Sequence, residues 1–469
     1  MKKLLIILLP IWLLASSLYL PLDNPLMNDV EKMAVIANMP TAKKPYSLKM
    51  IKIYNKKIED SYPSLYKKID DEISRLSGGF AKERMTAAFA VSDGDRAIPN
   101  SHGKDINSSY DFHAAFLLNP SSYLQASVDV NGYEKDDEMK IATNNSYISF
   151  GWDYFQIDAG YRDHWFSAFK NGSMLFSTNA INSPSVTISN IEPFGFAKFN
   201  YELFVSKLEE TDGIRYGDAL YSGNPAILGM HFNFHIAEWL EIGLNRTFQF
   251  GGGKRSVGLK DVAYAIIDPV NKDNSGGSEF DSSDPNYEFG NQQASITFKM
   301  NAEIKETPLS LYYLYGGEDT ASHDNTQLGN QIAGFGIYLP FLTKNSSLCY
   351  EFIERQSAWY IHHIYQNGYT NDGSVMGSWV GDTLNDGDRT GGNFHYLNLN
   401  HKLSEKSEID IKTRVIEHEN YSAFDYERGL EASVEYAKEY EKFNYKAQIY
   451  GGNTTFGEDF LYLGLRIGI

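Results

Sequence analysis

The C-terminal stretch Leu461-Tyr462-Leu463-Gly464-Leu465-Arg466-Ile467-Gly468-Ile469 decides the fold. Apolar side chains fill every odd position, while Tyr, Gly and Arg fill the even ones. A period of two means an extended strand with one apolar and one polar face. The run continues to Ile469 itself, where an outer-membrane barrel more commonly ends on an aromatic.

The same period recurs upstream. Met230, Phe232, Phe234 and Ile236 alternate with His231, Asn233 and His235. Ile296, Phe298, Met300, Ala302 and Ile304 alternate with Thr297, Lys299, Asn301 and Glu303. Ile409, Ile411 and Val415 alternate with Asp410, Lys412 and Arg414, and Phe443 to Ile449 repeats the theme. A sandwich also exposes a polar face, so number and length decide between the two architectures. Roughly 18 to 20 such segments run from about residue 82, many near the ~9–11 residues of a tilted membrane strand. Residues 81–469 divided among 18 strands leave about 22 residues for each strand with its connection, as a barrel needs. Tyr312-Tyr313, Trp359-Tyr360 and Tyr365 are read as girdle aromatics. The expected fold is an all-β membrane barrel of about 18 antiparallel strands over residues 80–469, with long polar connections at 206–225, 251–291 and 366–392.

Two segments precede it. Lys2 and Lys3, the apolar run Leu4 to Leu14 and the small Ala15-Ser16-Ser17 read as a signal peptide over residues 1–17, cleaved after Ser17. Residues 18–79 are expected to hold short helices. Asn24-Pro25 opens one carrying Leu26, Val30 and Met33; Ser47 caps a second with Leu48, Ile51 and Ile58. Ser61 and Pro63 open a third with Leu65, Ile69, Ile73 and Leu76 on one face, and Ser77-Gly78-Gly79 ends it. Each is too short to stand alone, so they form a small bundle packed on something larger.

Composition removes other classes. The 469 residues carry 42 Lys+Arg against 60 Asp+Glu, a formal charge of −18 that becomes −20 once Lys2 and Lys3 leave with the signal. That balance lacks the basic footprint of a nucleic-acid binder. No stretch beyond the N-terminus supplies the ~20 apolar residues of a membrane helix. With 42% hydrophobic and 14% aromatic residues the chain can bury a core. The single Cys349 excludes a disulfide within the chain.

Chemistry-bearing motifs are sparse. Asn271, Asp273, Ser275 and Gly276 mimic the opening of a calcium loop, but Ser282 stands where the closing Glu belongs. His362 and His363, taken as strand neighbours, point to opposite faces and cannot share an ion without a bulge. No His-x-Ser occurs, which argues against a barrel phospholipase, and Asp163-His164 has no matching pair for a barrel protease. The sequence therefore calls for no catalytic residue, metal or cofactor. Arg246 is anomalous, because it sits on the apolar parity with Leu240, Ile242, Leu244, Phe248 and Phe250. A lipid-facing Arg costs roughly 2–4 kcal/mol at the midplane and little near the interface. Gly251-Gly252-Gly253 beyond it favours the barrel rim, where it pins a loop or binds a ligand.

The run from Leu240 through Asn245-Arg246 to Gly251-Gly252 resembles a signature strand of the Wzi family of outer-membrane capsule assembly proteins. Gly316-Gly317-Glu318-Asp319 is similar to the family's Gly-Glu-Asp strand end. Tyr360-Ile361-His362-His363-Ile364-Tyr365-Gln366-Asn367-Gly368-Tyr369 resembles its His-His-Ile-Tyr segment, and Tyr19 to Pro25 resembles its opening. Where the family often shows Trp-Trp-Gly-Pro-Gly, this chain has Gly160-Tyr161-Arg162-Asp163. The resemblance implies an 18-stranded barrel with helices at its periplasmic end, in the outer membrane of a Gram-negative bacterium. It also implies a non-catalytic, lectin-like role in holding capsular or other surface polysaccharide. Partners on this reading are that polysaccharide, outer-membrane lipid and lipopolysaccharide, and the barrel-assembly machinery during biogenesis. The candidate glycan contacts are Arg246, Glu318, Asp319, Tyr360, His362, His363, Tyr365 and Tyr369. A diffusion porin for small solutes is the alternative, since charged lumens and Tyr-rich rims occur in porins as well.

Overall fold

A computed structural model describes residues 16–268, 284–318, 320–321, 324–356, 359–420 and 423–469. The signal-peptide residues up to 15, the calcium-loop mimic within 269–283 and Asp319 lie outside them.

Three helices come first: α1 Met27–Ile36, α2 Leu48–Asn55 and α3 Pro63–Leu76. The Ser47 hydroxyl accepts Met50 N–H at 3.0 Å, the expected cap, and Pro63 sits in the first turn of α3. Eighteen barrel strands follow. These are β1 Phe80–Asp93, β2 Tyr110–Leu118, β3 Leu124–Lys135, β4 in two pieces, Glu138–Ala142 and Tyr147–Trp152, β5 Phe155–Gly160, and β6 Ser185–Ser189. Next come β7 Asn200–Lys207, β8 Ala226–Ala237, β9 Leu240–Phe250, β10 Gly290–Ile304, β11 Thr307–Glu318 and β12 Ile332–Thr343. The set ends with β13 Ser346–Arg355, β14 Gly392–Ser404, β15 Ser407–His418, β16 Gly429–Glu439, β17 Asn444–Asn453 and β18 Asp459–Gly468. A fourth helix, α4 Leu259–Ile267, lies between β9 and β10.

Every strand pairs antiparallel with its chain neighbours, and β18 returns to β1 in register from Asp93↔Leu461 to Thr86↔Gly468. The sheet therefore closes and has no free edge. In β18 the apolar set Leu461, Leu463, Leu465 and Ile467 is 42–46% exposed, so it faces outward, as its alternation requires. Among the described residues no helix is long and apolar enough to cross a membrane; the strands are the crossing elements.

The two ends differ. At one, strands meet in tight turns, for example at Lys305 and Glu306, both at positive φ. The other carries the long connections. The helical segment closes the short-turn end, which in outer-membrane barrels is periplasmic. Thr41 and Ala42 N–H both reach the Glu241 carboxylate at 2.9 Å, Lys402 Nζ pairs with Asp29 at 2.7 Å, and Lys299 Nζ donates to Met39 O. Leu20, Val30, Met33, Ile51, Ile69 and Leu76 form one apolar cluster with Ala81 and Leu117 of the wall.

From the opposite end, the connection 161–184 descends into the lumen. Phe166, Phe169, Met174 and Leu175 are fully buried there and pack with Trp359, Tyr360, Tyr369 and Trp379 from the connection 356–391. One inward acid anchors the descent: the Glu351 carboxylate accepts Asn171 and Gly172 N–H at 3.0 and 3.1 Å and Tyr312 O–H at 3.0 Å. Tyr312 can lean inward because its partner across the strands is Gly336, where a Cβ would stand 2.0 Å from the ring. The two segments occupy much of the lumen and leave a polar cavity of about 450 Å³ against β1–β3 and β14–β18, lined by Asp111, Asp129, Lys412 and Arg466 among others.

Several expectations need correction. Trp359, Tyr360 and Tyr365 form no girdle, being 1–4% exposed within the plug, and of the 312–313 pair only Tyr313 faces outward. Glu435 pairs with Lys446 at 2.9 Å, and Lys438 lies over the Tyr440 ring. Asp410 and Lys412 do pair, at 3.0 Å. Composition could not reveal 161–184 as a plug, because its aromatic run reads like wall sequence.

Candidate functional site

Four long connections converge above the plug: 94–109, 208–225, 356–391 and 454–458. They enclose a cavity of about 1010 Å³. Its floor is built on Glu431 of β16. That carboxylate holds Arg96 Nε at 2.6 Å and Tyr450 O–H at 2.7 Å, and the Arg96 guanidinium lies 5.6 Å from the Trp379 ring. Trp379 is fixed in turn by Nε1–H to Asn171 Oδ1 at 3.0 Å. The floor is thus a stack of plug aromatics and one wall ion pair.

The walls are acidic. Asp95 and Asp105 come from the first connection, Glu209, Glu210 and Asp212 from the second, and Asp372, Asp382, Asp386 and Asp388 from the third. Among the described lining residues the bases are Arg96 and Lys135, and both are already engaged, Arg96 with Glu431 and Lys135 with Asp372. Asp382 accepts Val375 N–H at 2.8 Å and Asn179 Nδ2–H at 2.6 Å. Burial pushes its carboxyl up to about 6 against those bonds. The aromatic open to the cavity is Phe456, 44% exposed. Concave shape, hydroxyls and carboxylates around an open ring suit a polar ligand with apolar faces, such as a pyranose chain.

Of the seven described residues named from sequence, two line this cavity. Tyr360 and Tyr365 line the cavity, yet their hydroxyls are committed to the fold. Tyr360 O–H donates to Met174 O at 2.6 Å and accepts Ser378 N–H at 2.7 Å; Tyr365 O–H donates to Gly251 O. Tyr369 lies beneath, its ring stacked 5.9 Å from Tyr360. Glu318 is buried at the long-connection end of β11, where Gln293 Nε2 reaches it at 3.2 Å. Arg246 faces outward and pins α4 to the barrel: its guanidinium meets Ile266 O, Ala265 O and Gln292 Oε1 at 2.8–3.0 Å. His362 and His363 stand on a turn, not a strand, so the opposed-faces argument fails. Their rings are 4.5 Å apart and both face Glu288. The lining acids were visible as polar connections, but which connections meet in space depends on the barrel's closure.

Comparison with known proteins fits this geometry. The barrel is similar to the structure of Wzi, an outer-membrane protein involved in group 1 capsule assembly in Escherichia coli and a carbohydrate-binding β-barrel. The TM-score is 0.72 at 16% identity, covering 97% of this chain and 99% of that one. Acinetobacter baumannii OccAB4 and Pseudomonas aeruginosa OccK10 resemble it less, with TM-scores of 0.47 and 0.46, each at 10% identity. They cover 83% and 84% of this chain and 96% and 99% of theirs. No curated protein sequence matches. The family profile described as Capsule assembly protein Wzi matches residues 86–419, well over half of the chain, and the chain belongs to that family.

Proposed function

We propose that this protein is a non-catalytic outer-membrane barrel that holds surface polysaccharide during capsule assembly, with the cavity over the plug as its docking site. The observation that carries this reading is an open concavity above a lumen entered from both ends, by loop 161–184 and by helices α1–α3, each packed in a buried cluster against the wall. The Escherichia coli relative is a carbohydrate-binding β-barrel, which supports it. On the same reading the short turns face the periplasm and the cavity faces the cell exterior. Phe456 offers the ring on which a sugar face can stack, and Thr454 and Asp388 flank it.

Two measurements on one purified sample test this. In a planar bilayer the intact protein passes no steady current. Captured on beads, it retains surface polysaccharide from its own cell type, and Phe456→Ala retains several-fold less. Steady conductance together with no capture overturns the proposal and makes the protein a channel.

A further inference from the structure

We infer that Glu288, His362 and His363 form a binding site for one divalent transition-metal ion of the zinc class, clamping two rim connections together. Glu288 ends the connection that carries α4, and the two histidines sit on the turn at the start of the connection over the plug. Glu288 Oε1 is 3.5 Å from His362 Nε2, and Oε2 is 2.7 Å from His363 Nε2. One ligand atom from each residue lies within 4.8 Å of the other two. Zinc bonds of about 2.0–2.1 Å in a tetrahedron put neighbouring ligand atoms about 3.3 Å apart, so small adjustments admit an ion.

The trio is held in place by other loops. Arg215 N–H donates to Ile364 O at 2.8 Å, and its Nε–H to His363 O at 3.0 Å. The Arg255 guanidinium fixes the strand of chain before Glu288 through Pro285 O at 2.9 Å. Such outer bonds orient ligands before a metal arrives. Glu288 Oε1 is buried and makes no hydrogen bond, with His362 Nε2 facing it at 3.5 Å, longer than a hydrogen bond of normal length. Buried carboxylate oxygens normally find a donor.

Proton positions balance. His363 now donates Nε2–H to Glu288, and His362 accepts Ile364 N–H on Nδ1 at 3.3 Å, which places its own proton on Nε2. Metal binding moves each imidazole proton to Nδ1. At His363, 55% exposed, that proton meets solvent; at His362 the long bond from Ile364 is given up. Two imidazoles and one carboxylate suit zinc, copper or nickel, whereas calcium and magnesium require more oxygen ligands. The charge of Arg255 beside the site opposes any cation held only by electrostatics, which sharpens that selectivity.

The test uses tag-free full-length protein in detergent and zinc chloride as the probe, read by isothermal titration. One zinc binds per chain, and calcium at the same concentration does not bind. His363→Ala, an exposed position that leaves folding intact, weakens zinc binding at least tenfold, and Glu288→Gln does the same. His401→Ala, at the short-turn end, leaves it unchanged. Cobalt substituted for zinc gives the visible absorption of a four- or five-coordinate site, lost in His363→Ala. Absence of zinc binding up to 100 times the protein concentration (about 1 mM for a 10 μM sample), or binding that survives both substitutions, overturns the inference.

Discussion

Glu202 Oε2 lies 2.6 Å from Arg162 Nη2, and neither side chain reaches solvent. The pair joins the barrel wall, at β7, to the first residues of the plug. His164 Nδ1 shares the same carboxylate at 2.6 Å and Lys43, from the helical segment, approaches within 3.6 Å. One wall acid therefore gathers cations arriving from both ends of the barrel. Removing one partner of a buried pair strands the other charge, which costs about 3–5 kcal/mol. Glu202→Ala accordingly lowers the free energy of unfolding, measured by urea titration in lipid vesicles, by that amount. The double change Arg162→Met with Glu202→Leu costs less than Glu202→Ala alone. Equal or additive losses would show that the wall and plug are not coupled through this contact.

Arg246 gives a second, opposite expectation. Its guanidinium ties the last carbonyls of α4 to the outer wall and stacks 4.6 Å from Phe248. Charge-assisted bonds of this kind are worth about 1.5–3 kcal/mol each. Arg246→Ala frees α4, so trypsin cuts at Lys260 sooner, while polysaccharide capture stays at the wild-type level. Lost capture with unchanged proteolysis would return Arg246 to the binding site.

The contrast between these two arginines shows how far the sequence can be read. The period of two in Leu461 to Ile469 is a local property, and it specified strand, outward face and closure partner type. The caps at Ser47 and Pro63 were likewise local and placed two helices correctly. Arg246 was legible as an anomaly, with a loop pin as one of its two readings, because a charge on an apolar parity needs a partner. Arg162 was only a departure from a family pattern. Its partner lies 40 residues away on a strand whose inward face is known only once the barrel closes. For the same reason the Tyr360–Tyr369 block was mistaken for wall: aromatic spacing in a buried loop resembles a strand, and only the plug's packing separates them. The acids of the cavity come from separate connections, and no sequence period brings them together.

Asp382 makes the plug's outer turn pH-sensitive. Its folded pKa, about 6, exceeds the ordinary aspartate value, because burial disfavours the carboxylate. The folded protein thus holds this proton more tightly than the unfolded chain. The contribution is fully present below about pH 4 and is lost as pH rises through 6, on the order of 3 kcal/mol. Other carboxylates titrate in that window, so the difference between two proteins isolates the effect. Urea midpoints measured at pH 4.5 and 7 fall more for the wild type than for Asp382→Asn. Parallel changes in both would mean that the Asp382 carboxylate is ionised throughout.

The cavity's charge sets which polysaccharides it admits. Acids from all four connections face it, Glu458 coming from 454–458, and Arg96 and Lys135 are already spent on Glu431 and Asp372. Like charges in a concave, partly desolvated site repel an acidic chain, and salt screens that repulsion with a Debye length of about 10 Å at 0.1 M. A neutral polysaccharide should therefore be captured more tightly than an acidic one at low salt, with the gap narrowing as salt is added. Neutralising Glu210, Asp386 and Glu458 together, as Gln, Asn and Gln, raises capture of the acidic chain by about fivefold at low salt, a change of roughly 1 kcal/mol. The neutral chain is unaffected. An acidic chain that binds tightly in the presence of a chelator, and releases as salt rises, would instead mean that it docks on a basic surface elsewhere on the barrel.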